Sequence, residues 1–110
     1  EPITINNKKN GKGDDKTVCA SLYSPKSGIL LEVFTNEPGI QVYTGNFQGT
    51  GIACKHGIKY PKHVSVCFES QKYPDSPTKI AQGVKDWTDA TLKPGEKYYS
   101  HLAYKFSVKK

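Results

Sequence analysis

Apolar and polar residues alternate with a period of two along much of this chain, the signature of β-strands rather than helices. Thr17 to Tyr23 (TVCASLY) puts Val18, Ala20 and Leu22 on one face. Ile29 to Thr35 (ILLEVFT) puts Ile29, Leu31 and Val33 on one face and Leu30, Glu32 and Phe34 on the other. Both faces are mostly apolar, which predicts a strand inside a sandwich. Ile40 to Tyr43 is a further short strand. Val64 to Glu69 (VSVCFE) sends Val64, Val66 and Phe68 one way and Ser65, Cys67 and Glu69 the other. Tyr98 to Val108 is the longest predicted strand, with Leu102, Tyr104, Phe106 and Val108 on one face. Ile3 and Ile5 make a short alternating start.

Turn chemistry separates these runs. Residues 6–16 (NNKKNGKGDDK) are polar and hold Asn10-Gly11, a strong hairpin-turn signal. Ser24 to Gly28, Asn36 to Gly39, Pro74 to Pro77 and Lys93 to Glu96 are turns. Residues 48–63 are glycine-rich and basic and read as a long loop. Residues 79–90 look faintly helical, but Gly83 interrupts them and no apolar stripe forms, so residues 78–91 read as a loop too. The expected class is all-β, an antiparallel sandwich or barrel in one domain of 110 residues.

Composition narrows the function. The chain has 16 lysines, no arginine and 10 acidic residues, for a net charge of +6. The lysines are scattered and arginine, the bidentate reader of guanine and phosphate, is missing, so nucleic acid is not the expected partner. A tight phosphosugar site is disfavoured for the same reason. No apolar run approaches the roughly 20 residues of a membrane span, so no membrane partner is expected. Cys19, Cys54 and Cys67 cannot all pair with one another. Cys19 and Cys67 lie in apolar surroundings and are expected to be buried thiols, and no Asn-x-Ser/Thr sequon occurs. Both facts point to a reducing, cytoplasmic setting. There is no methionine, so a processed piece or fragment of a longer protein is expected.

His56, His63 and His101 share no metal-ligand spacing, so no metal site is expected. Glu69 is the unusual acid, standing in an otherwise apolar strand. Two placements are open: half-buried, where desolvation makes a carboxylate a better proton acceptor, or facing water, alone or beside a lysine.

Longer words then resemble one family. Ser27-Gly28-Ile29-Leu30-Leu31-Glu32-Val33, followed by Thr35-Asn36-Glu37-Pro38-Gly39-Ile40-Gln41-Val42-Tyr43-Thr44-Gly45-Asn46-Phe47, resembles the "SGRxLEVxTxEPGxQxYTGNF" block of aldose 1-epimerases (galactose mutarotases). Tyr60-Pro61-Lys62-His63, Cys67-Phe68-Glu69-Ser70-Gln71 and Pro74-Asp75-Ser76 resemble its "YPKHxxxCLETQxxPD" block. Leu92 to Tyr98 resembles its closing "LxPGExY" turn. The blocks come in family order and cover nearly all of residues 17–108.

The resemblance implies the C-terminal portion of a large antiparallel β-supersandwich. It implies interconversion of the α and β anomers of a free aldohexose such as galactose or glucose, with no cofactor. By motif position, Glu69 is expected to be the general base that takes the anomeric hydroxyl proton, and Gln41 to hydrogen-bond the sugar. The family's acid histidine, its second histidine, its Asn-Arg pair and its substrate-binding Asp lie in the earlier part of the fold. That part is therefore an expected partner, as a second chain or an upstream segment. His56 and His63 do not stand in the acid's place, and residues 78–91 depart from the family wording. This chain alone is expected to be inactive. The alternative is a non-catalytic carbohydrate-binding or interaction module on the same sandwich.

Overall fold

A computed structural model of the chain describes residues 3–4, 15–49 and 51–109. The polar stretch 6–16 lies outside the described residues except for Asp15 and Lys16. Six strands lie among the described residues: β1 (Ile3–Thr4), β2 (Ala20–Tyr23), β3 (Ile29–Thr35), β4 (Gly39–Tyr43), β5 (Cys67–Gln71) and β6 (Leu102–Val108). They form two antiparallel three-stranded sheets, in the orders β1-β4-β5 and β2-β3-β6. The fold is an all-β sandwich, as the alternation predicts.

β3 is the centre of the second sheet. Its register runs Ala20↔Val33 and Leu22↔Leu31 on one side, and Leu31↔Phe106 and Val33↔Tyr104 on the other. Opposed residues share a face, so Leu22, Leu31 and Phe106 form an apolar row across three strands. On the opposite face Glu32 and Lys105 stand directly across from each other, 3.4 Å apart.

The two sheets meet only at one end. Val33 and Ile40 are fully buried against each other, with Ala20, Leu31, Cys19 and Phe68 packed around them. Tyr104 Oη donates to the Phe68 carbonyl at 3.1 Å and ties the sheets together. Beyond that overlap the apolar face is bare: Phe106 is 67% exposed, Val108 65%, Ile29 47% and Leu22 45%. The buried apolar core of the described residues is small, with Val33, Ile40 and Tyr73 its buried side chains.

Three strands differ from the sequence expectation by more than one residue. The strand expected at residues 64–69 runs from Cys67 to Gln71, so Val64 and Ser65 fall outside the ladder. The strand expected at residues 17–23 pairs only from Ala20, although Cys19 N already donates to the Val33 carbonyl. The last strand begins at Leu102, not Tyr98. Residues 98–100 run exposed and unpaired.

The turn from β3 to β4 is buried and polar. Thr35 Oγ1 donates to the His101 carbonyl at 2.8 Å and accepts the Glu37 N–H at 3.1 Å. Asn36 Oδ1 accepts the His101 N–H at 2.7 Å. These bonds clamp the start of β6 to the end of β3. Glu37 is 5% exposed, with Lys72 Nζ 3.4 Å from its carboxylate.

Within residues 48–63 lie a 3-10 turn at Lys55–Gly57 and an isolated bridge between Ala53 and Lys59. A short helix, α1 (Ser76–Ala81), opens the stretch read as a loop over 78–91. Gly83 at φ 68° ends it in a Schellman motif, with Gly83 N donating to Ile80 O and Val84 N to Lys79 O.

Candidate active site

β4 and β5 carry the candidate residues on one face. Their register pairs Gly39 with Gln71, Gln41 with Glu69 and Tyr43 with Cys67. The other face, with Ile40 and Phe68, turns into the core. Gln41 and Glu69 are therefore immediate cross-strand neighbours, placed by ladder register rather than by loops.

Gln71 has no side chain opposite it, because its partner is Gly39. Its Nε2 reaches diagonally and donates to Gln41 Oε1 at 2.9 Å. Both glutamines are half-buried. Gly39 also leaves space for Tyr73: a Cβ there would lie 2.8 Å from the ring. Tyr73 Oη donates to the Pro38 carbonyl at 3.3 Å, and its ring packs on Trp87 with centroids 5.1 Å apart. Residues after α1 are thus fastened beside this face, and the Ser76 hydroxyl donates to the Thr88 carbonyl.

Glu69 is exposed. Of the two placements left open by the strand pattern, the water-facing one is found. Its carboxylate has no hydrogen-bond or ion-pair partner among the described residues, lysines included. The reason lies in the sheet, whose outer face carries nothing above Glu69 among the described residues.

The next words of the sequence are tied to one another. Gly45, at φ 72°, turns the chain after β4, and its carbonyl accepts N–H bonds from Gln48 and His63, each at 3.2 Å. His63 Nδ1 lies 3.0 Å from the Thr44 carbonyl, which makes that nitrogen the protonated one. The Tyr43 hydroxyl accepts the Phe47 N–H at 3.0 Å. His63 is thus tied into the loop through its Nδ1 and its backbone N–H. His56 sits exposed in the 3-10 turn. His101 Nδ1 is 3.5 Å from an Asp15 carboxylate oxygen, next to β6.

Beyond the edge of β5, a groove of about 470 Å³ is lined by Glu37, Gln71, Lys72, Thr91, Tyr98 and Tyr99. Lys72 Nζ stands 6.0 Å over the Tyr98 ring. At its approach, Asp89 Oδ1 accepts the Thr91 N–H at 2.9 Å, and this bond holds the carboxyl below its ordinary value. Sequence reasoning missed the pairing of Gln71 with Gln41. The signal was present, since Gln71 follows Glu69 at the two-residue spacing that puts both on one face.

A family model for aldose 1-epimerase matches residues 3–105. The chain belongs to the aldose 1-epimerase family. Galactose mutarotase from Mus musculus is 42% identical over 94 residues, covering 86% of this chain. The Homo sapiens galactose mutarotase is 40% identical over the same length. Aldose 1-epimerase from Escherichia coli (strain K12) is 36% identical over 97 residues. The crystal structure of an aldose epimerase homologue from C. elegans superposes on 99% of this chain with a TM-score of 0.76 and 25% identity. The chain spans about a quarter of its curated relatives, 26% in each of these three cases, and 30% of the solved homologue. It corresponds to the C-terminal portion of the family fold. No helix among the described residues is long and apolar enough to cross a membrane, and no three potential metal ligands cluster among them.

Proposed function

We propose that this chain forms one wall of an aldose 1-epimerase active site, in which Glu69 is the general base and Gln41 holds the sugar. The observation that carries the reading is their direct opposition across β4 and β5. The relatives' names supply the reaction class, exchange of the α and β anomers of a free aldohexose. Ring opening needs one group to take the proton from the anomeric hydroxyl and another to protonate the ring oxygen. After rotation about C1–C2 the ring closes on its other face with the two roles reversed. A carboxylate on one strand and an amide on the next suit the first half of that exchange. The acid histidine would come from the upstream portion of the fold, packed over the outer face of β4 and β5 so that it desolvates Glu69.

Polarimetry of fresh α-glucose or α-galactose is the test. The 110-residue chain alone is expected to leave the rate at its spontaneous value. Supplied with the upstream portion, it is expected to accelerate anomer exchange, and Glu69→Gln to lower kcat by roughly 10²–10⁴-fold, the usual worth of a positioned base. A Gln variant of near-normal rate would remove Glu69 from the chemistry.

The water-facing Glu69 favours a second reading, a carbohydrate-binding module without catalysis. Sugar binding with no anomer exchange in the completed fold would select it.

A further inference from the structure

We propose that Gln71 is a positioning residue for the sugar: it donates to Gln41 Oε1 and so fixes which end of the Gln41 amide is offered to the ligand. This rests on the reading of Gln41 as a sugar contact.

A glutamine amide has an acceptor end and a donor end, and rotation about its last bond exchanges them. A lone Gln41 on an open sheet face would present either. Gln71 Nε2, 2.9 Å from Gln41 Oε1, occupies the acceptor end. The Gln41 NH2 is then the end left for a ligand, on a residue that stands directly across the ladder from Glu69. The pair then offers one donor and one acceptor side by side. That combination suits a sugar, whose hydroxyl oxygens accept while its hydroxyl protons are donated. The local sequence makes this arrangement possible. Gly39 opposite Gln71 supplies no side chain, so Gln71 leans diagonally, and Tyr73 fills the space over Gly39. Gln71 makes its contact through Gln41 and not through the reacting atoms.

The first experiment reads the pair in the chain as it stands. In 15N–1H spectra the Gln71 side-chain NH2 should exchange slowly with solvent, and Gln41→Leu should abolish that protection. Fast exchange in the unaltered chain would overturn the pairing. The second reads function, with the upstream portion supplied. Gln71→Leu is expected to raise KM for galactose or glucose about 3- to 10-fold, the worth of one hydrogen bond that orients a binding group, with the effect falling on KM more than on kcat. Combined with Gln41→Leu, it should add nothing further, because the two act as one unit. A Gln71→Leu effect that persists undiminished in the Gln41→Leu background, or one that falls on kcat alone, would overturn the positioning role. Absence of anomer exchange in the unaltered assembly would sink the epimerase reading and the sugar role with it. The protection measurement would still report separately whether the two amides are paired.

Discussion

The imidazole Nδ1 of His63 lies 3.0 Å from the carbonyl oxygen of Thr44, and the His63 backbone N–H bonds the next carbonyl, Gly45. One residue thus staples the Tyr60-Pro61-Lys62-His63 stretch onto the turn that follows β4. His63 does this at φ 60°, a left-handed conformation in which His, Asn and Asp are enriched over other non-glycine residues. His63→Ala should lower stability by about 1–2 kcal/mol, through the lost hydrogen bond and the less tolerant backbone. His63→Asn should cost less. Urea denaturation midpoints of the two variants check the order, and equal midpoints would show that the imidazole bond contributes nothing.

Gly39 is required by a ring, not by a backbone angle. A Cβ at this position would lie 2.8 Å from Tyr73 Cε1 and 2.9 Å from Cδ1, closer than packed carbons tolerate. The ring cannot swing freely, because its hydroxyl is tied to Pro38 and its face to Trp87. Gly39→Ala should therefore cost about 1–3 kcal/mol, the usual range for overpacking. Trp87 is the sole tryptophan, so its emission reports the event directly. The variant should emit at longer wavelength as the aromatic pair opens, and an unchanged spectrum with unchanged stability would contradict the close packing.

The strands were legible where a sheet face is decided by burial within the chain. β3 appears with its expected bounds, Ile29–Thr35, because alternation and flanking turns agree there. The strand at 64–69 was displaced because Val64 and Val66 are apolar without being paired. Their alternation belongs to an irregular segment, while the ladder extends instead into polar Ser70 and Gln71. A polar outer face gives period-two alternation no apolar mark. The helix was obscured by the residue that ends it, since Gly83 looks like an interruption when the pattern is read from Lys79 onward. Gln41 was legible only as a member of a longer word, whereas Glu69 also stood out as the acid of an otherwise apolar strand. Nothing in hydrophobic periodicity announces that they face each other, and strand register alone brings them together. The exposure of Glu69 was beyond sequence pattern, because burial depends on what stands above the sheet.

The three thiols should separate by rate. Cys54 is exposed, whereas Cys19 and Cys67 are half-buried. Burial pushes the Cys19 thiol up from its ordinary value of 9.0, against weaker backbone hydrogen bonds that lower it, and its Sγ lies 3.1 Å from the Val33 carbonyl. Thiolate is the reactive form, so brief maleimide treatment at pH 8 should label Cys54 first and Cys19 last. Intact mass with peptide mapping reads the order. The same shift has a stability consequence. The unfolded chain gives up this proton at a lower pH than the folded one, so the contribution is complete below pH 9.0 and is lost as pH rises through the higher folded value. Melting temperatures should fall on that alkaline side for the unaltered chain and fall less for Cys19→Ala.

Leu22 and Phe106, which flank Leu31, and Ile29 and Val108 beside them leave apolar side chains in water along the side of the sheet that elsewhere holds Val33 in the core. Soluble monomers seldom leave such a face open without a use for it. This chain spans about a quarter of the length of each of these curated relatives. The chain alone should therefore bind an apolar dye such as ANS strongly and associate as its concentration rises. Phe106→Lys should weaken both, since Phe106 is 67% exposed and its replacement disturbs little existing packing. With the upstream portion of the fold present, dye binding by the unaltered chain should fall, while Phe106→Lys should impair assembly because the lysine would then carry its charge into an apolar contact. A dye-silent chain that stays monomeric at high concentration would mean that this face is satisfied already.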